Sequence, residues 1–441
     1  VSSAALAHPP LRHAEEFLSC APDGLYEGGG YYDSEVPLAL LRATHQRHGQ
    51  SIRTIARLAP ALQAERPMPT FLGGPDAGFL DNLTAHYADL NRSHRQLAPT
   101  LLVEIDNAVI FRNQIMALRD GALVPIYEIN RPNERYYRTA DSQSVRDTAL
   151  PPMIVHGAGN HLFSGSIGSF NYGHWLIDDF CALAALQEVE RGEGPARVVM
   201  TATTPAIDTI RREGLDAASG RKAPLEPLFL HSGAAHLFPK LRYITPITYH
   251  PVLKHPDWLA AGVALCRQAF DEGAIDRTLR RKLRQIALAA HALGYRLLEP
   301  DDPARSPRLF VNRGAGYRRQ LTNADEIRPL LQAFGYREVL PETMTLRRQW
   351  ATFSRATHVV GIMGAAMSNV LFAGPDVRVL HLAPGGWYEP FYWDLASMRG
   401  LPYAALYGTP EADHGPDHLR SFAVDKAALA GWLEATHGRA G

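Results

Sequence analysis

The stretch Val359-Val360-Gly361-Ile362-Met363-Gly364-Ala365-Ala366-Met367-Ser368-Asn369-Val370-Leu371-Phe372 decides the fold. Its β-branched opening reads as a buried strand over 358–361, and the small residues after Gly364 start a helix over 365–372. The same alternation repeats on both sides. A strand over 308–312 leads to a helix near 323–334, where Asn323 and Glu326 have capping-box spacing and Pro329 is expected to shift or kink the start. Strands over 337–340, 378–382 and 402–407 lead in turn to helices over 346–354, 390–398 and 426–436. Five strand–helix units in series predict a parallel, doubly wound sheet with right-handed crossovers. Such sheets bind ligands outside the carboxyl ends of their strands. The residues there are Asn312-Arg313-Gly314, then Glu342 and Thr343, then 362–366, then Pro384-Gly385-Gly386. Gly364 and Ala365 open a helix whose N–H groups and dipole suit a phosphate, although small residues there also serve close packing. Arg313 is placed for a bidentate phosphate contact. Glu342 either accepts ribose hydroxyls or is an exposed loop carboxylate.

Further out the pattern is mixed. A strand over 153–156, strands over 197–201, 228–231 and 241–245 and a helix over 206–213 are expected, with a long helical region over 257–293. That region carries Arg277, Arg280, Arg281, Lys282 and Arg284, which face an anionic acceptor, a membrane surface or solvent. Three prolines within 299–307 mark a linker. Before residue 150 the β-prone segments 101–105, 108–118 and 122–129, with a turn at Asp120-Gly121, predict an antiparallel meander. The segment 130–148 reads as a polar loop over the cleft, 68–78 and Gly28-Gly29-Gly30 as loop, and 38–62 as containing helix. The expected domains are 1–150, an extension with the meander that is part of the N-terminal lobe, then 151–300 and 308–441.

Composition excludes several classes. The 441 residues contain 46% hydrophobic and 20% charged residues, the balance of a globular chain with a core. Basic and acidic residues number 45 each, so no global field attracts nucleic acid. Three widely spaced cysteines, without CxxC spacing, argue against a disulfide scaffold or structural zinc. Residues 1–9 lack the basic and apolar regions of a secretion signal, and no 18 apolar residues run together. The expectation is a cytoplasmic protein with at most peripheral membrane contact.

Asn171-Tyr172-Gly173-His174-Trp175-Leu176-Ile177-Asp178-Asp179-Phe180 carries the second constellation. His174 and Asp178, four apart on a helix, share one face, a pair suited to proton transfer or one that merely satisfies itself in a buried helix. Trp175 is either a face on which a ligand stacks or a core residue. The pair would supply two metal ligands, but no third stands near in sequence and no Asp-x-Asp occurs. Neither a metal nor a cofactor is demanded. Nicotinamide chemistry fits poorly, because Leu162 and Arg319 stand where the last glycine of a G-x-G-x-x-G would fall.

With these motifs in order over about 150–408, the chain resembles glycosyltransferase family 61. That family shows an N-Y-x-H-W-x-x-D helix, an Arg-ended strand and a G-x-H-G-A-x-L-x-N-x-x-F segment. The resemblance implies an α/β, GT-B-like fold of two facing Rossmann-like domains, here with an N-terminal antiparallel β extension. It implies an inverting, metal-independent transferase moving a sugar from a nucleotide-sugar, with UDP-sugars the first expectation, to a glycan or glycolipid acceptor in surface polysaccharide synthesis. Carried over, Arg313, Gly364, Ala365 and Asn369 fall in the donor site, with Glu342 and Arg318 beside them. His174 and Asp178 face the reacting centre. Asp178 is the first choice of base, with His174 positioning it or the acceptor; the reverse stays open. Met363 replaces the family's histidine, and a thioether cannot donate a hydrogen bond. Arg318, Arg319 or His381 would have to take over that contact, or the chain is a binding-only relative. The resemblance leaves the oligomeric state open, a homo-oligomer included.

Overall fold

The computed structural model describes residues 52–125, 153–271 and 307–438, apart from short gaps at 75, 94, 98, 112, 120–121, 167, 221–226, 232, 250–251, 315–317 and 413–416. Two compact units result, each made of two stretches of chain: 1–67 with 86–262, and 68–85 with 263–441. The chain is mixed α/β with two large sheets. No helix among the described residues is long and apolar enough to cross a membrane. The glycine loop at 28–30, the segment 38–51, the loop 130–148, the basic run 277–284 and the linker at 299–306 lie outside the described residues.

The first unit is organised on Thr100–Phe111, a strand whose residues are buried at all but two positions. Burial on both faces explains its two apolar runs, 101–103 and 108–111, where a half-exposed strand would alternate. Antiparallel partners are Ile52–Ala59, Gln114–Arg119 and Ala235–Ile244, and Ala122–Pro125 pairs with Gln114–Arg119. From Ala235–Ile244 the sheet continues in parallel through His161–Phe163, Arg197–Thr201 and Leu228–Leu230, with Met153–Val155 also on Ala235–Ile244. The meander and the parallel strands therefore share one sheet and one core, which includes Val103, Ile105, Ile110, Phe163, Val199, Phe238 and Tyr243. Ile52–Ala59 is a strand where the sequence suggests helix. Buried Glu104 ties three strands together, bonded by Arg53 at 2.7 Å and Arg242 at 3.3 Å. Burial pushes its carboxyl up, but those hydrogen bonds outweigh burial and hold it below the ordinary carboxylate value.

The second unit carries the parallel sheet read from the sequence. Its order is Arg337–Val339, Arg308–Val311, His358–Ile362, Arg378–Pro384, Tyr403–Pro410, all parallel. The chain leaves Arg308–Val311 toward one edge and returns on its other side at His358–Ile362. Strand order reverses between those two strands, which makes their carboxyl ends the switch point where ligands bind. Two additions were not legible. Thr70–Gly73, read as loop, joins Tyr403–Pro410 in parallel, and Phe422–Ala423 pairs antiparallel to its end. A four-residue strand flanked by Pro and Gly has too little periodicity to declare itself. The capping box does not form either: Asn323 spends its side chain on Val424, donating to its carbonyl at 2.9 Å and accepting its N–H at 3.2 Å. The helix Ala324–Ala333 carries Pro329 inside it.

Candidate functional site

In the first unit a cavity opens at the carboxyl ends of His161–Phe163 and Ala235–Ile244, with Ser164, Ser166, Asp178, Asp179, Thr245 and Thr248 among its walls. Asp178 sits in a helical segment that changes its turn: α over Tyr172–His174, π over Trp175–Phe180, then 3₁₀ over Cys181–Ala185. Asn171 starts it by accepting from Gly173 N–H at 2.8 Å. π turns recur at functional sites. His174 Nδ1 lies 3.1 Å from Asp178 Oδ2, and Thr248 Oγ1 donates to Asp178 Oδ1 at 2.6 Å. An ionised carboxylate only accepts, so Nδ1 carries the proton and Nε2 is the basic nitrogen. The Asp178 side chain is 6% exposed and that of His174 20%, so the imidazole is the easier of the two to reach. Gly168 makes room for it, since a Cβ there would stand 2.7 Å from His174 Cγ.

The adjacent carboxylate has a different task. Asp179 is buried and accepts from Ser169 Oγ at 2.5 Å, close to the fully buried Arg211. Burial pulls Arg211 below its ordinary value, with the charges of Asp179 and Asp208 opposing it. Arg211 also donates to the Thr201 carbonyl at 2.7 Å, fastening its own helix, Pro205–Ser219, to the end of the strand Arg197–Thr201. Trp175 is a core residue: 1% exposed, it packs on Phe180 and so tightly on Gly214 that a Cβ there would stand 2.8 Å from its ring.

In the second unit a cavity occupies the switch point, lined by Arg313, Glu342, Ile362, Gly364, Ala365 and Ala366. Arg313 Nη1 donates to the Met363 carbonyl at 2.9 Å and Arg319 Nη1 to the same oxygen at 2.8 Å. Burial lowers the pKa of Arg319, and neighbouring Arg313 lowers it further. Its Nε is buried without a hydrogen-bond partner, and its backbone has a left-handed φ of 66°, a cost that a non-glycine residue bears where something else holds it. Two cations thus converge on one carbonyl beside the cavity. Gly364 permits this approach, because a Cβ there would collide with Arg313 Nη1. Glu342 Oε1 accepts from Gly314 N–H at 2.6 Å, fixing the loop that leaves the Arg308 strand. Burial holds the Tyr392 hydroxyl above its ordinary value, with Arg319, Arg313 and the Gly364 backbone opposing.

The remaining candidates lie off the cavity wall. The Met363 side chain is buried, and the residue meets the two arginines through its backbone carbonyl. Asn369 is buried and donates to Gln349 Oε1 at 2.6 Å and the Ala366 carbonyl at 3.0 Å, which pins the turn that presents Ala365 and Ala366. Arg318 is exposed, and its neighbour Arg319 makes the inward contact. His381 is buried, with Nδ1 2.8 Å from the Tyr403 hydroxyl, and burial pulls it down to about 3, assisted by Arg319. Thr248, Asp179 with Arg211, Arg319 and Tyr392 were not singled out as site partners from sequence, except Arg319 as a substitute for the missing histidine. Among the described residues no group of three or more His, Cys, Asp or Glu is arranged to hold a metal ion.

The buried histidine gives a pH prediction. An unfolded chain protonates it near 6.5, whereas the fold keeps it neutral down to about 3. Between those values the unfolded state binds more protons, so the stability His381 contributes is complete above 6.5 and lost progressively toward 3. His156 and His358, each pulled down to about 4 by burial and neighbouring positive groups, act in the same direction. Calorimetry should show the thermal midpoint falling as pH drops from 6.5 to 4, with a shallower slope in His381→Phe.

The site geometry and the sequence motifs meet in one comparison. Residues 172–380 match the glycosyltransferase 61 family model. The matched stretch runs from Tyr172, at the start of the His174–Asp178 helix, to Leu380, within the strand that follows Met363 and Gly364. Over that stretch, just under half of the chain, the protein is similar to glycosyltransferase family 61. No curated protein matches the chain.

Proposed function

We propose that the protein is an inverting glycosyltransferase that moves a sugar from a nucleotide-sugar to a hydroxyl of a glycan or glycolipid acceptor without a metal ion. The observation that carries this reading is the switch-point cavity with Arg313 in its wall and Arg319 on the same Met363 carbonyl, inside the stretch that matches the family. Arg313 and Arg319 supply the positive charge that a departing nucleoside diphosphate needs. Gly364 and Ala365 let the phosphates approach backbone, and Glu342 is placed for ribose hydroxyls. Two features support His174, rather than Asp178, as the base that deprotonates the acceptor. Asp178 accepts from both His174 and Thr248, the arrangement of an orienting carboxylate, and the imidazole is the more exposed group. The GT-B arrangement, uridine diphosphate sugars as donors, a role in surface polysaccharide synthesis, a cytoplasmic location with at most peripheral membrane contact, and homo-oligomer formation are parts of the same proposal.

The test is thermal shift and sugar transfer across a panel of nucleotide-sugars in EDTA. Selective stabilisation by one nucleoside diphosphate, with transfer from its sugar conjugate, is the expected result. Strict dependence on a divalent ion would count against the leaving-group role of the arginines. Binding without transfer from any donor would favour a binding-only relative, the reading suggested by Met363 in the place of the family's histidine. Gly364→Ala should weaken nucleoside diphosphate binding about tenfold, because the new methyl group displaces Arg313 from its position. Titration calorimetry measures it, and unchanged affinity would place the phosphates elsewhere.

A further inference from the structure

Beside the arginine pair the second unit keeps a tryptophan at its surface. Trp387 follows Arg378–Pro384, the strand next to His358–Ile362, and is 36% exposed. Gly386, with a left-handed φ of 88°, turns the chain just before it. The indole is held in place: Nε1 donates to Glu389 Oε2 at 3.4 Å, and the ring packs against His418 with centroids 4.9 Å apart. His418 and Glu389 both lie within electrostatic reach of Arg319, so the aromatic pair adjoins the group that shares the Met363 carbonyl with Arg313. Burial lowers the pKa of His418 and Arg319 lowers it further, with Glu389 and Asp417 opposing.

We propose that Trp387 and His418 form the subsite for the donor's transferred sugar, an inference that rests on the donor-site reading above. A pyranose has an apolar C–H face and an edge of hydroxyls. An anchored indole with a carboxylate and an imidazole at its side offers the matching apolar face and hydrogen-bonding edge. Position distinguishes sugar from nucleobase. Along the sheet the order is Arg337–Val339, Arg308–Val311, His358–Ile362, Arg378–Pro384. Glu342 follows the first of these strands, Arg313 and Gly364 follow the middle two, and Trp387 follows the last. A diphosphate at the arginines with its ribose at Glu342 therefore sends its other substituent, the sugar, toward Trp387. Adjacent strands are about 4.8 Å apart, a step that one phosphate–sugar linkage spans.

The experiment compares uridine and guanosine diphosphates with their hexose conjugates by titration calorimetry, using wild type, Trp387→Ala and Trp387→Phe. Because the ring is exposed, the thermal midpoint of Trp387→Ala should stay close to that of wild type. Trp387→Ala is expected to weaken the preferred sugar conjugate about tenfold and leave its parent diphosphate within about twofold, with Trp387→Phe recovering most of the loss. Equal loss for conjugate and parent would put the nucleobase on the indole, and no loss for either would leave the ring without a ligand. Both results overturn this inference and leave the donor site standing. Failure of wild type to bind any diphosphate or conjugate overturns the donor site and this subsite together.

Discussion

Asp178→Asn is expected to lower kcat by about 10²–10⁴-fold while nucleoside diphosphate affinity stays within about twofold of wild type. The substitution is nearly isosteric, and the amide oxygen can keep the hydrogen bond from Thr248 Oγ1 that Oδ1 now accepts at 2.6 Å. What changes is the atom facing His174 Nδ1, 3.1 Å away. An amide nitrogen there donates, so Nδ1 must accept and the ring proton moves to Nε2. The imidazole is then in the wrong tautomer to take a proton from the acceptor, and a cation formed on it loses its carboxylate partner. Steady-state kinetics with saturating donor, paired with titration calorimetry, separates this from damage to the donor site. His174→Ala should show a similar loss, and added imidazole should restore part of it. Full activity in Asp178→Asn would remove the pair from the mechanism. A failure of imidazole to rescue His174→Ala would return the role of base to Asp178.

The His174–Asp178 pair was legible because an i,i+4 spacing survives the change from an α to a π turn. The switch point was legible because five strand–helix units leave few topologies for a parallel sheet. Thr248 was not, since it lies 70 residues from its carboxylate partner and a hydroxyl in a strand has no distinguishing spacing. His161–Phe163 was missed for a related reason: three residues carry no period, yet they form an interior strand of the first sheet, between Arg197–Thr201 and Ala235–Ile244. Asn323 shows a local signal overridden by tertiary structure, its capping oxygen taken by Val424 N–H. Met363 is the most instructive case. The sequence draws attention to a thioether that cannot donate a hydrogen bond. The structure buries that side chain and gathers two arginines on its carbonyl, so the residue's contribution is a backbone atom that no side-chain argument describes.

Arg313→Ala is expected to weaken nucleoside diphosphate binding by about 1.5–3 kcal/mol, the cost of removing a charge-assisted hydrogen bond. Arg319 still occupies the Met363 carbonyl in this variant, so the turn before Gly364 keeps one of its two anchors. The loss should therefore be read in affinity, with a small change in thermal midpoint. A transfer assay should show kcat falling as well, because the charge on the leaving diphosphate grows toward the transition state and that is where the guanidinium helps most. Arg313→Lys should recover only part of the affinity, since an ammonium keeps the charge but loses the planar fork. Arg313→Ala combined with Arg319→Ala supplies the decisive comparison. If both cations meet the same diphosphate, the double variant should depart from the sum of the single losses, as groups that share a partner do. Strict additivity would mean that they serve separate ligands. Unchanged affinity in Arg313→Ala would mean that its guanidinium serves only the Met363 carbonyl, and the phosphates would have to be sought elsewhere along the carboxyl ends of the sheet.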